Sequence, residues 1–202
     1  ISSANVTYTT GFSGEDSWAL VTTRGCYLIT DSRYVEQAAA ECPQVRIENR
    51  TAPMSNAVSG LVNRQKSIKK LGIESSIPYE AFEAVKDKLN AKAAPAKQML
   101  APLRTIKDES EIKFIKKAAD IAANALEASL ELIRPKITES ELAGLIELQM
   151  RRAGAGPSFE TIVAFGPSGS RPHHRPGGRK LRKNDSILID FGVRYKGYCS
   201  DL

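Results

Sequence analysis

Two aspartates near the end of the 202-residue chain have the type and spacing that metal chemistry needs. Asp190 closes the apolar run Ser186-Ile187-Leu188-Ile189, and Asp201 follows eleven residues later in Gly197-Tyr198-Cys199-Ser200-Asp201. Both runs read as strands and the stretch between them as a tight turn. A two-residue tip at Tyr195-Lys196 would pair Arg194 with Gly197 and set Asp190 directly opposite Asp201, with Cβ atoms roughly 4.5–5.5 Å apart. A three-residue tip, with Gly197 as a bulge residue, shifts the register by one and makes the pair diagonal. Carboxylates so placed can hold two divalent ions about 3.5–4 Å apart. An aspartate that ends an apolar strand is costly unless paired or liganded, and two close carboxylates repel; a cation relieves both problems. The competing reading is a pair of exposed strand-end aspartates, or aspartates paired with the nearby arginines.

The chain has two histidines, adjacent in Pro172-His173-His174-Arg175-Pro176, in the loop ahead of the Asp190 strand. Imidazole can polarise a carbonyl or move a proton near neutral pH. The plainer alternative is a loop histidine in a solvated basic stretch. Asp190-Phe191-Gly192 matches the metal-binding tripeptide of protein kinases, but the upstream catalytic loop and the strand lysine that a kinase requires are missing. A phosphate-binding P-loop, a nucleophile elbow and a zinc-peptidase helix motif are missing too.

The elements that must position these residues are legible to different degrees. Asn5 to Thr10 is rich in β-formers, Trp18 to Thr23 and Cys26 to Thr30 read as strands, and Asp31 or Ser32 can cap a helix that Pro43 ends. Helices from about Ser55 to Leu71 and from Tyr79 to Leu89 flank a short strand near Ile73. Ala91 to Lys97 reads as a surface connection. A domain boundary is expected near Arg104 to Asp108. Beyond it, Ile112, Ile115, Ala119, Ala122, Leu126, Leu130 and Ile133 predict one helical apolar stripe that Pro135 stops. Thr138 to Glu141 is a capping box that opens a second helix carrying Leu142, Leu145 and Ile146. Glu160 to Phe165 is a strand, followed by a Gly/Pro-rich loop and the two aspartate strands. The order of strands and helices predicts an α/β layer domain followed by an α+β region.

Composition excludes little. Hydrophobic residues make 42% and charged residues 26% of the chain, which is ordinary for a globular protein. Apolar runs are too short to span a membrane. The three cysteines, Cys26, Cys42 and Cys199, have no metal-finger spacing and read as reduced thiols of a cytoplasmic protein. Much of the net charge of +6 sits between Arg171 and Lys183. That stretch lacks interleaved aromatics, so a solvated loop is preferred to a nucleic-acid site. The chain opens with Ile1, and further residues are expected at both ends.

Taken in order, these residues resemble the pita-bread metallopeptidase family that includes Xaa-Pro aminopeptidase and Xaa-Pro dipeptidase (prolidase). Tyr8-Thr9-Thr10-Gly11-Phe12-Ser13-Gly14 is similar to the family's Tyr-Leu-Thr-Gly-Phe-Thr-Gly run. Thr30-Asp31-Ser32-Arg33-Tyr34 with Gln37-Ala38 is similar to its Thr-Asp-x-Arg-Tyr-x-x-Gln-Ala run. Arg104 to Asp108 with Glu111-Ile112, Pro157 to Val163, Pro172-His173, Arg179-Lys180-Leu181, Asp185, Asp190-Phe191-Gly192 and Gly197 to Asp201 complete the series. The resemblance implies a creatinase-like N-terminal α/β domain over residues 1–105, without its first helix and strand, and the N-terminal half of a pita-bread catalytic domain over residues 106–202. It implies removal of an N-terminal residue ahead of proline, by two divalent ions, manganese in the first instance and cobalt or zinc as alternates. Asp190 corresponds to a one-metal ligand, Asp201 to the bridging ligand, and His173 to the histidine that contacts substrate near the scissile bond. Arg33 corresponds to a peptide-binding arginine of the N-terminal domain; His174 has no counterpart. The family's remaining ligands, one His and two Glu, lie downstream, so the chain alone is expected to be inactive. A homodimer acting on proline-containing peptides is expected. Phe165, where the family often has serine, and Gly177-Gly178, in place of Thr-Asp or Ser-Asp, read as loop changes near the substrate. The alternatives are a dipeptidase, a non-catalytic pita-bread binding protein, and relatives such as creatinase or methionine aminopeptidase.

Overall fold

Thr7, Thr9 and Thr10 give the start of the chain a strand-like composition, yet the computed structural model, which describes residues 1–202, has a helix there, α1 (Ser3–Thr10). The threonine hydroxyls that favour strands in isolation are satisfied on the helix itself. Thr9 Oγ1 donates to Asn5 O and Thr10 Oγ1 to Val6 O, both at 2.7 Å. Gly11 then takes a left-handed φ of 83° and its N–H returns to Thr7 O, which ends the helix.

The chain divides into two compact units, Ile1–Ile106 and Lys107–Leu202. In the first, β1 (Trp18–Thr22) and β2 (Gly25–Thr30) form a hairpin, α2 (Val35–Glu41) crosses over, and β3 (Arg46–Asn49) joins β2 in parallel. Helix α2 begins later than expected because Asp31 does not cap it; its carboxylate binds Arg33 instead. Leu28 and Ile29, adjacent on β2, are both fully buried but in different cores. Leu28 packs with Val6, Phe12, Ala38 and Cys42. Ile29 packs with Leu20, Val58, Leu61, Val62 and Ile73. A strand buried on both faces marks β2 as the middle of a helix–sheet–helix sandwich.

Helix α3 (Met54–Asn63) is shorter than its apolar pattern predicts. The Asn63 side chain leaves the helix to bond Lys88 O and Asn90 N at 2.8 Å each, and β4 (Lys70–Glu74) takes the residues read as a helical end. After α4 (Tyr79–Lys86), the stretch read as a connection is β5 (Lys92–Ala96), paired in parallel with β4 from Lys70↔Lys92 to Glu74↔Ala96. Small alanines suit this edge strand, which also tolerates Pro95. A short helix, α5 (Ala101–Thr105), closes the unit. An apolar cavity lies between β1 and β4, lined by Trp18, Leu20, Val21, Leu71, Ile73 and Val58.

The second unit opens on α6 (Glu109–Leu130), capped by Asp108 and Glu111 in a reciprocal box. Its buried face is not the bulky stripe the periodicity suggests. Ile112 and Leu130 are exposed, whereas Ala118, Ile121, Ala122, Ala125 and Ser129 are buried. The small residues let α7 (Glu139–Arg152) approach closely, and α7 contributes Leu142, Ile146 and Met150 to the shared core. The Thr138–Glu141 capping box forms as read. Next come β6 (Gly156–Pro157), β7 (Ile162–Phe165), a 3-10 turn at Gly166–Ser170, β8 (Ile187–Asp190), β9 (Val193–Tyr195) and β10 (Tyr198–Cys199). β7 pairs with β8, and β9 lies between β10 and β6, all antiparallel. Phe165 is the last residue of β7 and fully buried in this core, so it is a packing residue and not the loop change its sequence position suggests. No helix is long and apolar enough to cross a membrane.

Candidate active site

The strand pair carrying the two aspartates forms, in a register that differs from the expected one. The tip is Lys196-Gly197, with φ of 47° and 83°, and Tyr195 pairs with Tyr198. This is the turn in which both central residues need positive φ, and glycine belongs in its second position; Tyr195 in that role would be strained. The ladder continues through Ser200 N to Val193 O at 2.8 Å and a reciprocal pair between Phe191 and Leu202 at 3.0 and 2.9 Å. Asp201 therefore lies opposite Gly192, not opposite Asp190. The offset is two residues, one full pleat repeat, so Asp190 and Asp201 stay on the same face as a diagonal pair.

The other face of the ribbon explains why this one is acidic. Phe191 and Val193 are buried in the helix-packed core, and Ser200 Oγ reaches back to Ala118 O of α6. Asp190 is half-buried and Asp201 exposed, on the side away from the helices. Gly192 sits between them and has no room for a side chain, since a Cβ would fall 2.2 Å from both Ser158 Oγ and Ser200 O. Neither carboxylate has a side-chain hydrogen bond or an ion pair. Two arginines that could have neutralised them are committed elsewhere. Arg179 holds both Asp185 oxygens at 2.9 Å and donates to Phe165 O, and Arg194 donates to Ser158 O.

His173 is exposed on the loop after the 3-10 turn. It occupies the third place of a β-turn closed by His174 N donating to Arg171 O at 3.1 Å, with Pro172 in the second place. His174 is not the solvated loop residue its basic surroundings suggest. Its side chain is 9% exposed and its Nε2 lies 2.9 Å from Glu139 Oε2. Glu139, read from sequence only as part of the capping box, is a buried carboxylate with 1% exposure. Burial pushes its carboxyl up, but hydrogen bonds from Phe165 N, His174, Gly177 N and Ser168 outweigh burial and hold it at about 2. An ionised carboxylate only accepts, so His174 Nε2 is the donor.

A folded-state value below the usual 4.5 means that Glu139 contributes its full stabilisation above about pH 4.5 and loses it as the pH falls towards 2. Glu139→Gln should therefore destabilise the protein at neutral pH and flatten its loss of stability between pH 5 and about 2. Urea midpoints across that range check it. An unchanged acid slope in the variant would remove Glu139 from the account.

Arg33 lies in the first unit, in the turn before α2. Its Nε and Nη2 donate to the two oxygens of Asp31 at 2.9 and 2.8 Å, and Nη2 also reaches Asp16 at 2.8 Å. The guanidinium lies 5.3 Å from the Tyr34 ring centre. Hydrogen bonding from Arg33 holds Asp31 at about 2, and Arg50 adds a further contact at 3.0 Å. Arg33 is thus a preoriented cation, 61% exposed at its side chain. No group of three or more His, Cys, Asp or Glu side chains that could hold a metal is assembled within the 202 residues.

Residues 1–106 match the creatinase/prolidase N-terminal domain, and residues 113–202 match metallopeptidase family M24. An uncharacterized peptidase of Bacillus subtilis is 34% identical over 204 residues, covering 100% of this chain and 58% of its own. Among solved structures, the Xaa-Pro dipeptidase from Bacillus anthracis superposes with a TM-score of 0.90 at 35% identity, covering 100% of this chain and 57% of that one. The X-Pro aminopeptidase from Thermotoga maritima superposes with a TM-score of 0.89 at 33% identity, over 99% and 57%. The chain thus spans somewhat more than half the length of these relatives. With its first unit matched throughout, and its second matched across α6, α7 and both aspartate strands, the chain belongs to the M24 metallopeptidases, carrying their creatinase-type N-terminal domain and part of their pita-bread domain.

Proposed function

We propose that the whole protein hydrolyses the peptide bond that precedes proline and releases the N-terminal residue, as an Xaa-Pro aminopeptidase. The observation that carries this reading is the diagonal pair Asp190 and Asp201, on the solvent side of a ribbon whose other side is core, with no protein partner for either carboxylate. Unspent hard oxygen donors suit a divalent cation, manganese among the transition metals. Two carboxylates are too few for a complete shell, and we place the remaining ligands, one His and two Glu in the family the sequence resembles, outside these 202 residues. The chain by itself is then inactive. The ions would supply Lewis acidity for an attacking water and the scissile carbonyl.

The protein's own groups have separate tasks. Asp190 and Asp201 hold the ions. His173 donates a hydrogen bond to the carbonyl oxygen as negative charge develops there. Arg33 holds the substrate peptide by charge and hydrogen bonding. Proline offers no amide N–H at the scissile bond, so its ring is selected by shape. The three unpaired cysteines suit a reducing compartment, and the reading extends to a cytoplasmic homodimer. The likeness to the Bacillus anthracis enzyme favours a dipeptidase as the second reading.

The test is to give the whole, manganese-loaded protein an Xaa-Pro dipeptide and a longer Xaa-Pro peptide. Release of the first residue from the longer peptide is expected. Cleavage of the dipeptide alone would replace the first reading with the second. Cleavage of neither would remove both.

A further inference from the structure

The proposed chemistry gives Glu139 no task, although it is among the most completely satisfied buried groups in the second unit. Its donors come from two separate segments. Phe165 N, at the end of β7, donates to Oε1 at 2.9 Å. His174 Nε2 and Gly177 N, from the histidine loop, reach Oε2 at 2.9 and 3.1 Å. Around this point the loop is stitched to the start of α7, by Ser140 N to Gly177 O at 3.1 Å, Ser140 Oγ to Pro176 O at 3.0 Å and Glu139 N to Arg179 O at 3.1 Å.

These bonds bracket His173. The β-turn that carries it begins at Arg171, whose N–H donates to Ser168 O at 3.2 Å, and closes at His174. His174 bonds Glu139 directly, and the 3-10 turn that holds Arg171 follows Phe165, whose N–H bonds the same carboxylate. One end of the turn therefore hangs directly from the carboxylate and the other is tied to a segment that starts beside a second bond to it, while His173 itself is exposed. We propose that Glu139 and His174 are a positioning pair: buried and touching no substrate, they fix the turn that presents His173. The consequence for catalysis rests on the reading of His173 given above; the positioning itself does not.

Two measurements separate these levels. In the 202-residue chain, backbone ¹⁵N relaxation reports the turn directly. With His174→Leu or Glu139→Gln, the order parameter of the His173 amide should fall from about 0.85 to below about 0.6, while amides of α6 stay rigid. His174→Gln, which keeps a donor near the position of Nε2, should restore it. A turn that stays rigid in both His174→Leu and Glu139→Gln overturns the proposal, whatever the protein catalyses. In the whole protein, His174→Leu should lower kcat for Xaa-Pro cleavage by up to about 10²-fold with little change in KM, the cost of a misplaced group. His174→Gln should recover most of that loss. Adding His174→Leu to His173→Ala should cost almost nothing further, because the pair acts through His173. Additive losses would reduce the pair to general structural support and overturn its positioning role. If His173→Ala leaves cleavage unchanged while relaxation shows the turn loosened, the role given to His173 fails and the positioning pair stands.

Discussion

Asp201→Ala in the whole protein should lower kcat/KM for an Xaa-Pro peptide by more than about 10²-fold, beyond the 10–100-fold that loss of a group behind a metal ligand costs. The same substitution should leave stability within about 0.5 kcal/mol, because an exposed carboxylate with no protein partner supports nothing in the fold. Asp190→Ala should behave alike in activity, with a somewhat larger effect on folding, since Asp190 is half-buried and sits opposite Ile162 in the β7–β8 ladder. Manganese titration by calorimetry, beside thermal melts of each variant, checks both halves of the expectation. Undiminished metal uptake and turnover in Asp201→Ala would end the case for these carboxylates as ligands. A large loss of stability would show instead that they are structural.

Phe165→Ala should have the largest effect on folding, about 3–5 kcal/mol, as for other fully buried aromatic side chains cut to alanine. Phe165 has no exposed surface and packs in the core with Val163, Ile146, Phe191 and Val193. Its backbone is equally committed, with N–H to Glu139 and C=O from Arg179 Nε. Domains are stable by about 5–15 kcal/mol, so most of the margin of the second unit would go. Urea unfolding gives the number, with Leu188→Ala as the control: Leu188 is on the outer face of β8 and 42% exposed, and should cost well under half as much. Equal costs at the two positions would mean that the core is not where the packing places it.

What could be read from the sequence was what is local. The capping box at Thr138 depends on residues three apart and formed as read; the one at Asp108 is just as local and was not read. The strands of the β1–β2 hairpin formed within a residue of the expected bounds. Errors arose where a distant partner decided the outcome. β5 has only alanines, lysine and proline to announce it, and exists because β4 pairs with it. The face of α6 was misassigned because Ile112 and Leu130 carry more apolar weight than the alanines that α7 needs for close approach. In the site, the types and the shared face of Asp190 and Asp201 were legible, but the register turned on which residues accept positive φ at the tip. Glu139 escaped because two of its backbone donors, Phe165 and Gly177, lie 26 and 38 residues away. A usable hint was present: an acidic residue at the first position of a helix, together with one histidine more than the chemistry calls for.

The acidic face and the apolar face of the ribbon from Asp190 to Leu202 share a backbone, but neither aspartate bonds to a side chain of the apolar face. On the function proposed, drift can therefore erase the chemistry one carboxylate at a time without melting the scaffold. A descendant stripped of Asp190 and Asp201 would still present His173 and the surrounding surface, intact and free to be recruited for recognition instead of cleavage.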